Sequence, residues 1–470
     1  MTSVRIAGGT LVDGERVRRA TAAAERAALA IRGATLVTVD PGRSILARDV
    51  LVDAGGRICG LVEPGTHVRG ARSIEATGQV VVPGLVQAHL HLCQTLFRGL
   101  AEDRPLLKWL EQRIWPLEAA HDPESLRASA RLGIAELLLG GTTAVLDMGT
   151  VHHTDALFEA AAETGIRYTG GKALMDAGEN VPRGLLETTA VALRDGDRLA
   201  NCWHEREGGR LRYAYCPRFA LTATIDLLRS VGARARANAM LVHTHASEQR
   251  DEASAVRERF GSTNIELLAN LGLGDSNACL AHCVWPEPHE LDVLASGGAT
   301  VVHCPSCNLK LGSGAAPIAE YLERGVNVAL GADGAASNNR VDGWEELRLA
   351  GLIAAFRNGP GAVTAAELFE AATLGGARAL GLDTDIGSIE IGKFADLTIL
   401  DLRRPHAVGP DDVYTQLVYS ARATDVRTVL VGGRVLVQDG RLTGFSEADV
   451  VADAQVQRAR LLERVGQLAD

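Results

Sequence analysis

Apolar positions along this chain follow two rhythms. In Leu29-Ala-Ile-Arg-Gly-Ala-Thr-Leu-Val-Thr-Val39 and across 44–77 they come in short alternating runs broken by Gly and Pro. The same rhythm returns at Gly387–Leu400, Val426–Val431 and Gly433–Val437. Period-two alternation of this kind predicts half-buried strands. Between these two regions, apolar runs of strand length are separated by longer stretches with helical spacing. The runs are Val80–Leu92, Thr142–Met148, Arg167–Leu174, Arg212–Cys216, Met240–Ala246, Ala278–Cys283, Thr300–Cys304 and Asn327–Asp333. Eight such units predict a (β/α)8 TIM-type barrel of the α/β class, with its chemistry at the C-terminal ends of the strands. The expected organisation is a barrel over 80–384, a small β-sandwich domain assembled from both chain ends (1–79 and 385–445), and a charged, solvent-facing C-terminal helix over 446–470. Residues 1–28 read as an N-terminal extension, whose Val4–Val12 echoes the strand that follows it.

Composition changes this picture little. With 470 residues, 46% hydrophobic and 23% charged, the chain is an ordinary globular protein with room for a large core. A net charge of -10 argues against a nucleic-acid partner. The eight cysteines are scattered, several inside apolar runs, as reduced thiols are, and no apolar run approaches a membrane span. A cytoplasmic protein with no membrane partner is expected.

Candidate chemistry gathers at the strand ends. Val80-Val-Val-Pro-Gly-Leu-Val-Gln-Ala-His-Leu-His-Leu92 places His89 and His91 on one face of a strand, so both can reach one metal ion, and Pro83-Gly84 suggests a bend ahead of them. The fifth strand ends Leu241-Val-His-Thr-His-Ala-Ser-Glu248, where either His243 or His245 could supply a third ligand and Glu248 stands at the mouth to exchange protons. His282 closes the sixth strand and Asp333 the eighth, each a polar group on an apolar run that needs a partner.

These four strand ends resemble the amidohydrolase superfamily in its mononuclear-metal branch. The resemblance implies His89, His91, His245 and Asp333 as ligands of one divalent metal, zinc first and iron second. It assigns Glu248 and His282, with Asp333, to catalysis, and His243 to support behind the ligands. A divalent cation lowers the pKa of bound water from ~16 towards ~7. The resulting hydroxide would attack C6 of a purine and release ammonia. No lysine ends the fourth strand, where the binuclear branch carries one.

Within that branch, Cys93-Gln-Thr-Leu-Phe-Arg-Gly-Leu100, Trp115-Pro-Leu-Glu118, His303-Cys-Pro-Ser-Cys-Asn-Leu-Lys-Leu311, Gly334-Ala-Ala-Ser-Asn-Asn339 and Ala372–Leu380 are similar to deaminases of 5'-deoxyadenosine, 5'-methylthioadenosine and S-adenosylhomocysteine. That likeness implies a purine nucleoside substrate, with Glu118 on the ribose hydroxyls and Trp109, Trp115 and His153 lining the pocket. It also implies a homodimer or homotetramer. The family usually carries Ser where this chain has Cys307. At the fourth strand, Arg218-Phe219 departs from the commoner histidine and resembles guanine deaminases as well, with Arg218 reaching a purine ring nitrogen or carbonyl and Phe219 stacking. Guanine deamination and s-triazine hydrolysis are therefore the rival activities. A catalytically silent scaffold is the rival of a different class, opposed by the presence of every ligand.

Overall fold

The computed structural model describes residues 21–409 and 412–469. Its centre is a sheet of eight parallel strands: β1 (Leu85–Leu90), β2 (Thr142–Met148), β3 (Arg167–Gly171), β4 (Leu211–Pro217), β5 (Leu241–Ala246), β6 (Ala278–His282), β7 (Thr300–His303) and β8 (Val328–Leu330). Each strand pairs with the next, and a parallel bridge between Leu90 and Asp333 joins the last to the first. Every position of β2, β3, β6, β7 and β8 is buried, as expected where helices cover the outside of a parallel sheet and side chains fill its inside.

Two smaller sheets pack on each other beside the barrel. One has four strands in the order Ile58–Val62, Asp49–Asp53, Ala27–Arg32, Arg72–Glu75. The other runs Arg441–Leu442, Arg434–Gln438, Val426–Val431, Leu397–Leu400, Val80–Pro83, Thr35–Val37, Ile45–Ala47, and so joins both parts of the chain. Leu29, Ile31, Val50 and Val52 of the first sheet meet Leu36, Val81, Leu397 and Leu430 of the second in a shared core.

Two of the expected strands divide. Leu29–Val39 splits at Gly33, whose φ of +72° turns the chain from one sheet of the sandwich to the other. Val80–Leu92 splits at Gly84. Val80–Pro83 pairs antiparallel with Leu397–Leu400 in the sandwich, while Leu85 starts the barrel. A Cβ at Gly84 would lie 2.1 Å from the Thr143 side chain, so only glycine lets the chain pass from one sheet to the other there. The strand expected over Val4–Val12 lies outside the described residues.

The C-terminal helix, Glu447–Ala469, is less solvent-facing than its charge suggests. It buries Val450, Ala454 and Leu461 and lies along the helix Pro123–Leu139. Arg458 Nε donates to the Leu96 carbonyl (3.1 Å) and Arg464 Nε to the Ala120 carbonyl (2.7 Å). Both ends of the long segment after β1 are thereby tied to the end of the chain. That segment carries Gln94, Leu106, Trp109 and Leu110 into the cavity described next.

Candidate metal centre and active-site cavity

At the C-terminal mouth of the barrel, one nitrogen each from His89, His91 and His245 and one oxygen from Asp333 lie within 4.8 Å of one another. His91 Nε2 is 3.2 Å from His245 Nε2, and Asp333 Oδ1 is 3.2 Å from His89 Nε2 and 3.4 Å from His91 Nε2. Donors about 2.1 Å from a shared tetrahedral cation stand about 3.4 Å apart, so these separations fit one.

The other ring nitrogens of these histidines are engaged outside the cluster, which leaves the clustered ones free. His91 Nδ1 donates to the Met148 carbonyl (2.8 Å), and His245 Nδ1 to the Arg218 carbonyl (2.7 Å). His89 Nδ1 faces His243 Nε2 at 2.7 Å, which leaves His89 Nε2 buried with no hydrogen-bond partner. A buried imidazole nitrogen without a partner is costly unless something else takes its lone pair. The fit to a divalent cation rests on that nitrogen and on the donor set. His243 therefore stands behind the cluster, and His245 enters it.

Electrostatics keep the donors in the form a cation needs. Burial lowers the pKa of all three imidazoles, His89 to about 4, so they are neutral. Burial pushes Asp333 the other way, yet the imidazoles of His89, His91 and His282 around it hold it well below the usual carboxylate range. Asp333 adopts a left-handed backbone, φ +59°, and Ser337 Oγ donates to its Oδ2 (2.8 Å). His282 also takes a left-handed backbone, φ +74°; such conformations in non-glycine residues cluster at functional sites.

Glu248 and His282 sit beside this cluster, with Glu248 Oε2 3.5 Å from His282 Nε2. Ser313 Oγ donates to Glu248 Oε1 (3.2 Å), and the Glu248 backbone N–H donates to Glu252 Oε2 (2.6 Å). Burial, followed by the charge of Asp333, raises Glu248 to about 8. A cation held at the four donors would pull it back down. His282 Nδ1 faces Asn308 Oδ1 (2.9 Å), so its proton sits on Nδ1 and Nε2 is bare.

A cavity opens above these groups, lined by His91, Gln94, Trp109, Arg218, Phe219, His245, Glu248 and Asp333, with Leu106, Leu110 and Leu311 as apolar walls. The remaining expected substrate contacts sit elsewhere. Trp115 is buried in the packing behind the cavity, and His153 is exposed on the loop after β2. Glu118 and Arg218, each expected to meet substrate separately, meet one another. Arg218 donates through Nη1 to Glu118 Oε2 (2.5 Å) and through Nη2 to Glu118 Oε1 (3.1 Å), and Gln94 Nε2 adds a third bond to Oε1 (3.0 Å). Sequence reasoning missed Gln94, Ser313 and Asn308. For Gln94 a signal existed: it lies three residues after His91 in the 3-10 helix Leu92–Phe97, whose three residues per turn bring it back towards the same side.

Residues 80–436 match the model of the amidohydrolase family. The chain belongs to that family. A 5'-deoxyadenosine deaminase from Methanothermobacter thermautotrophicus is 40% identical over 389 residues, covering 83% of this chain and 89% of its own. A 5-methylthioadenosine/S-adenosylhomocysteine deaminase from Natronomonas pharaonis is 38% identical over 440 residues, covering 93% and 98%. Among solved structures, an adenosine deaminase from Xanthomonas campestris with bound zinc superposes with a TM-score of 0.88 at 32% identity, covering 93% of this chain and 99% of that one. The fold is that of metal-dependent amidohydrolases, and the chemistry of the family is hydrolysis at carbon–nitrogen bonds. Among the described residues of this amidohydrolase, no helix is long and apolar enough to cross a membrane.

The placement of His243 yields a first prediction. His243→Ala removes the group that orients His89, and should weaken metal retention about 10–100-fold while leaving the fold intact. Competition with a chromogenic chelator measures it, and unchanged retention would separate His243 from the centre.

Proposed function

We propose that this amidohydrolase is a hydrolytic deaminase of adenosine-type nucleosides, acting on 5'-deoxyadenosine, 5'-methylthioadenosine or S-adenosylhomocysteine and holding one zinc per subunit. The observation that carries the reading is the convergence of His89, His91, His245 and Asp333 beside Glu248 and His282, with His91, His245, Glu248 and Asp333 lining one cavity. The names of the relatives support the substrate class, and the bound zinc of the structural neighbour supports the metal.

His89, His91, His245 and Asp333 would hold the cation, which when bound acidifies water so that a hydroxide equivalent is available at neutral pH. The rest is done by side chains. Glu248 takes a proton from the attacking water and delivers it to the ring nitrogen next to the reacting carbon; burial raises its affinity for that proton, and a bound cation opposes the rise. His282, with its proton fixed on Nδ1 by Asn308, presents a bare Nε2 that accepts a hydrogen bond from the incoming water. Phe219 and Trp109 flank the base, while Leu106 and Leu110 exclude bulk water from it. Arg218, half engaged by Glu118, has donors left for a ring nitrogen. The same reading makes the protein cytoplasmic and a homodimer or homotetramer.

Arg218 beside Phe219 on the cavity wall also favours a base carrying a carbonyl, as guanine does. Ammonia release from a panel of adenosine, 5'-deoxyadenosine, 5'-methylthioadenosine, S-adenosylhomocysteine and guanine separates the two. The expected result is turnover of at least one 5'-modified adenosine with kcat/KM well above that for guanine. Turnover of guanine alone would overturn the nucleoside assignment.

A further inference from the structure

A second group of donors meets next to the four described above and shares none of them. One carboxylate oxygen of Glu248, one ring nitrogen of His282 and the thiol sulfur of Cys307 lie within 4.8 Å of one another, and all three residues are buried. His282 Nε2 is the telling atom. Its ring is fixed by the Nδ1 contact to Asn308, so the bare Nε2 faces Glu248 and has no hydrogen-bond partner. Cys307 stands in the first turn of the short helix Pro305–Lys310, its side chain against Asp333 and Glu248. A thiolate binds zinc and softer cations strongly, so Cys307 completes a donor set with Glu248 and His282.

We propose that Glu248, His282 and Cys307 form a second, inhibitory site for a thiophilic divalent cation such as zinc in excess or cadmium. Glu248 and the Cys307 thiolate together carry the two negative charges that a second divalent cation needs, whereas Asp333 supplies one negative charge to the first. Binding forms the metal–sulfur bond and releases the Cys307 thiol proton to solvent, with no change of oxidation state. The second ion occupies Glu248 and the bare nitrogen of His282, the two groups that the proposed mechanism needs for proton transfer. Its effect on turnover thus rests on that mechanism, whereas its binding does not. Magnesium and calcium, which prefer oxygen donors, should not compete.

The test titrates metal-free enzyme with cadmium and follows both the ultraviolet charge-transfer band of cadmium–thiolate bonds and cadmium per chain after equilibrium dialysis. The wild type should take up two ions, the band growing with the second. Cys307→Ser and Cys307→Ala should take up one ion with no band, and Cys304→Ser should match the wild type. In zinc-loaded enzyme, half-inhibition of Cys307→Ser should need at least about tenfold more free zinc, as when a ligand-site contact is lost. A wild type that stops at one ion without a band, or a band that survives both Cys307 variants, overturns this site and leaves the four-donor centre standing. A wild type that binds no cadmium counts against that centre itself.

Discussion

Glu248→Gln is expected to keep the fold and the metal content of the wild type while kcat falls by about 10²–10⁴, the range that a positioned proton-transfer group contributes. The substitution is nearly isosteric. The Gln side-chain carbonyl can still accept from Ser313 Oγ, and the backbone at this position stays held by Glu252. What is lost is the ability to carry a proton between water and the ring nitrogen. The carboxyl of Glu248 is suited to that shuttle because burial, aided by Asp333, raises its pKa to about 8, while a bound cation opposes the rise. Metal analysis alongside steady-state kinetics distinguishes a lost proton carrier from a lost ion. Near-normal kcat in a fully loaded variant would remove Glu248 from the role. Ser313→Ala, which only releases the carboxylate from its outer hydrogen bond, should cost far less.

Much of this centre was legible because its residues obey a local period. His89 and His91 share a face by strand alternation, and His245, Glu248, His282 and Asp333 each close an apolar run, where the barrel architecture puts chemistry. What stayed hidden depends on partners far along the chain. Pro83-Gly84 signals a bend, yet nothing near it announces that Val80–Pro83 pairs with Leu397–Leu400, more than three hundred residues away. Asn308 and Ser313 look like ordinary helix-end polar residues until β6 and β5 set His282 and Glu248 against them. His243 and His245 were equivalent by period two. Only the contact of His243 with His89 Nδ1 sets His243 behind the cluster and leaves His245 within it.

The pairing of Glu118 with Arg218 spans one hundred residues and gives the largest expected effect on stability. Both side chains are almost wholly buried, at 2% exposure each. Burial alone would disfavour the charge on Arg218, and the adjacent carboxylate more than restores it. Removing one partner strands the other as an uncompensated buried charge, so Glu118→Leu or Arg218→Met should each destabilise the protein by about 3–5 kcal/mol. The double variant Glu118→Leu/Arg218→Met buries no unpaired charge and should recover most of that loss, because two apolar side chains of similar size pack where the ion pair stood. Denaturant unfolding of the four proteins closes the cycle, and additive losses would mean that the two charges are not coupled. Kinetics on the same set address the sugar. Glu118 Oε1 already accepts from Gln94 and Arg218, and Oε2 from Arg218, so a ribose diol finds one open lone-pair site and must compete for the second. If Glu118 exchanges these bonds for the diol on binding, Glu118→Gln should raise KM for nucleosides and leave the KM of a free base unchanged. A KM that rises equally for both would instead mark the pair as the scaffold for Arg218 on the cavity wall, and through the Arg218 carbonyl for the orientation of His245.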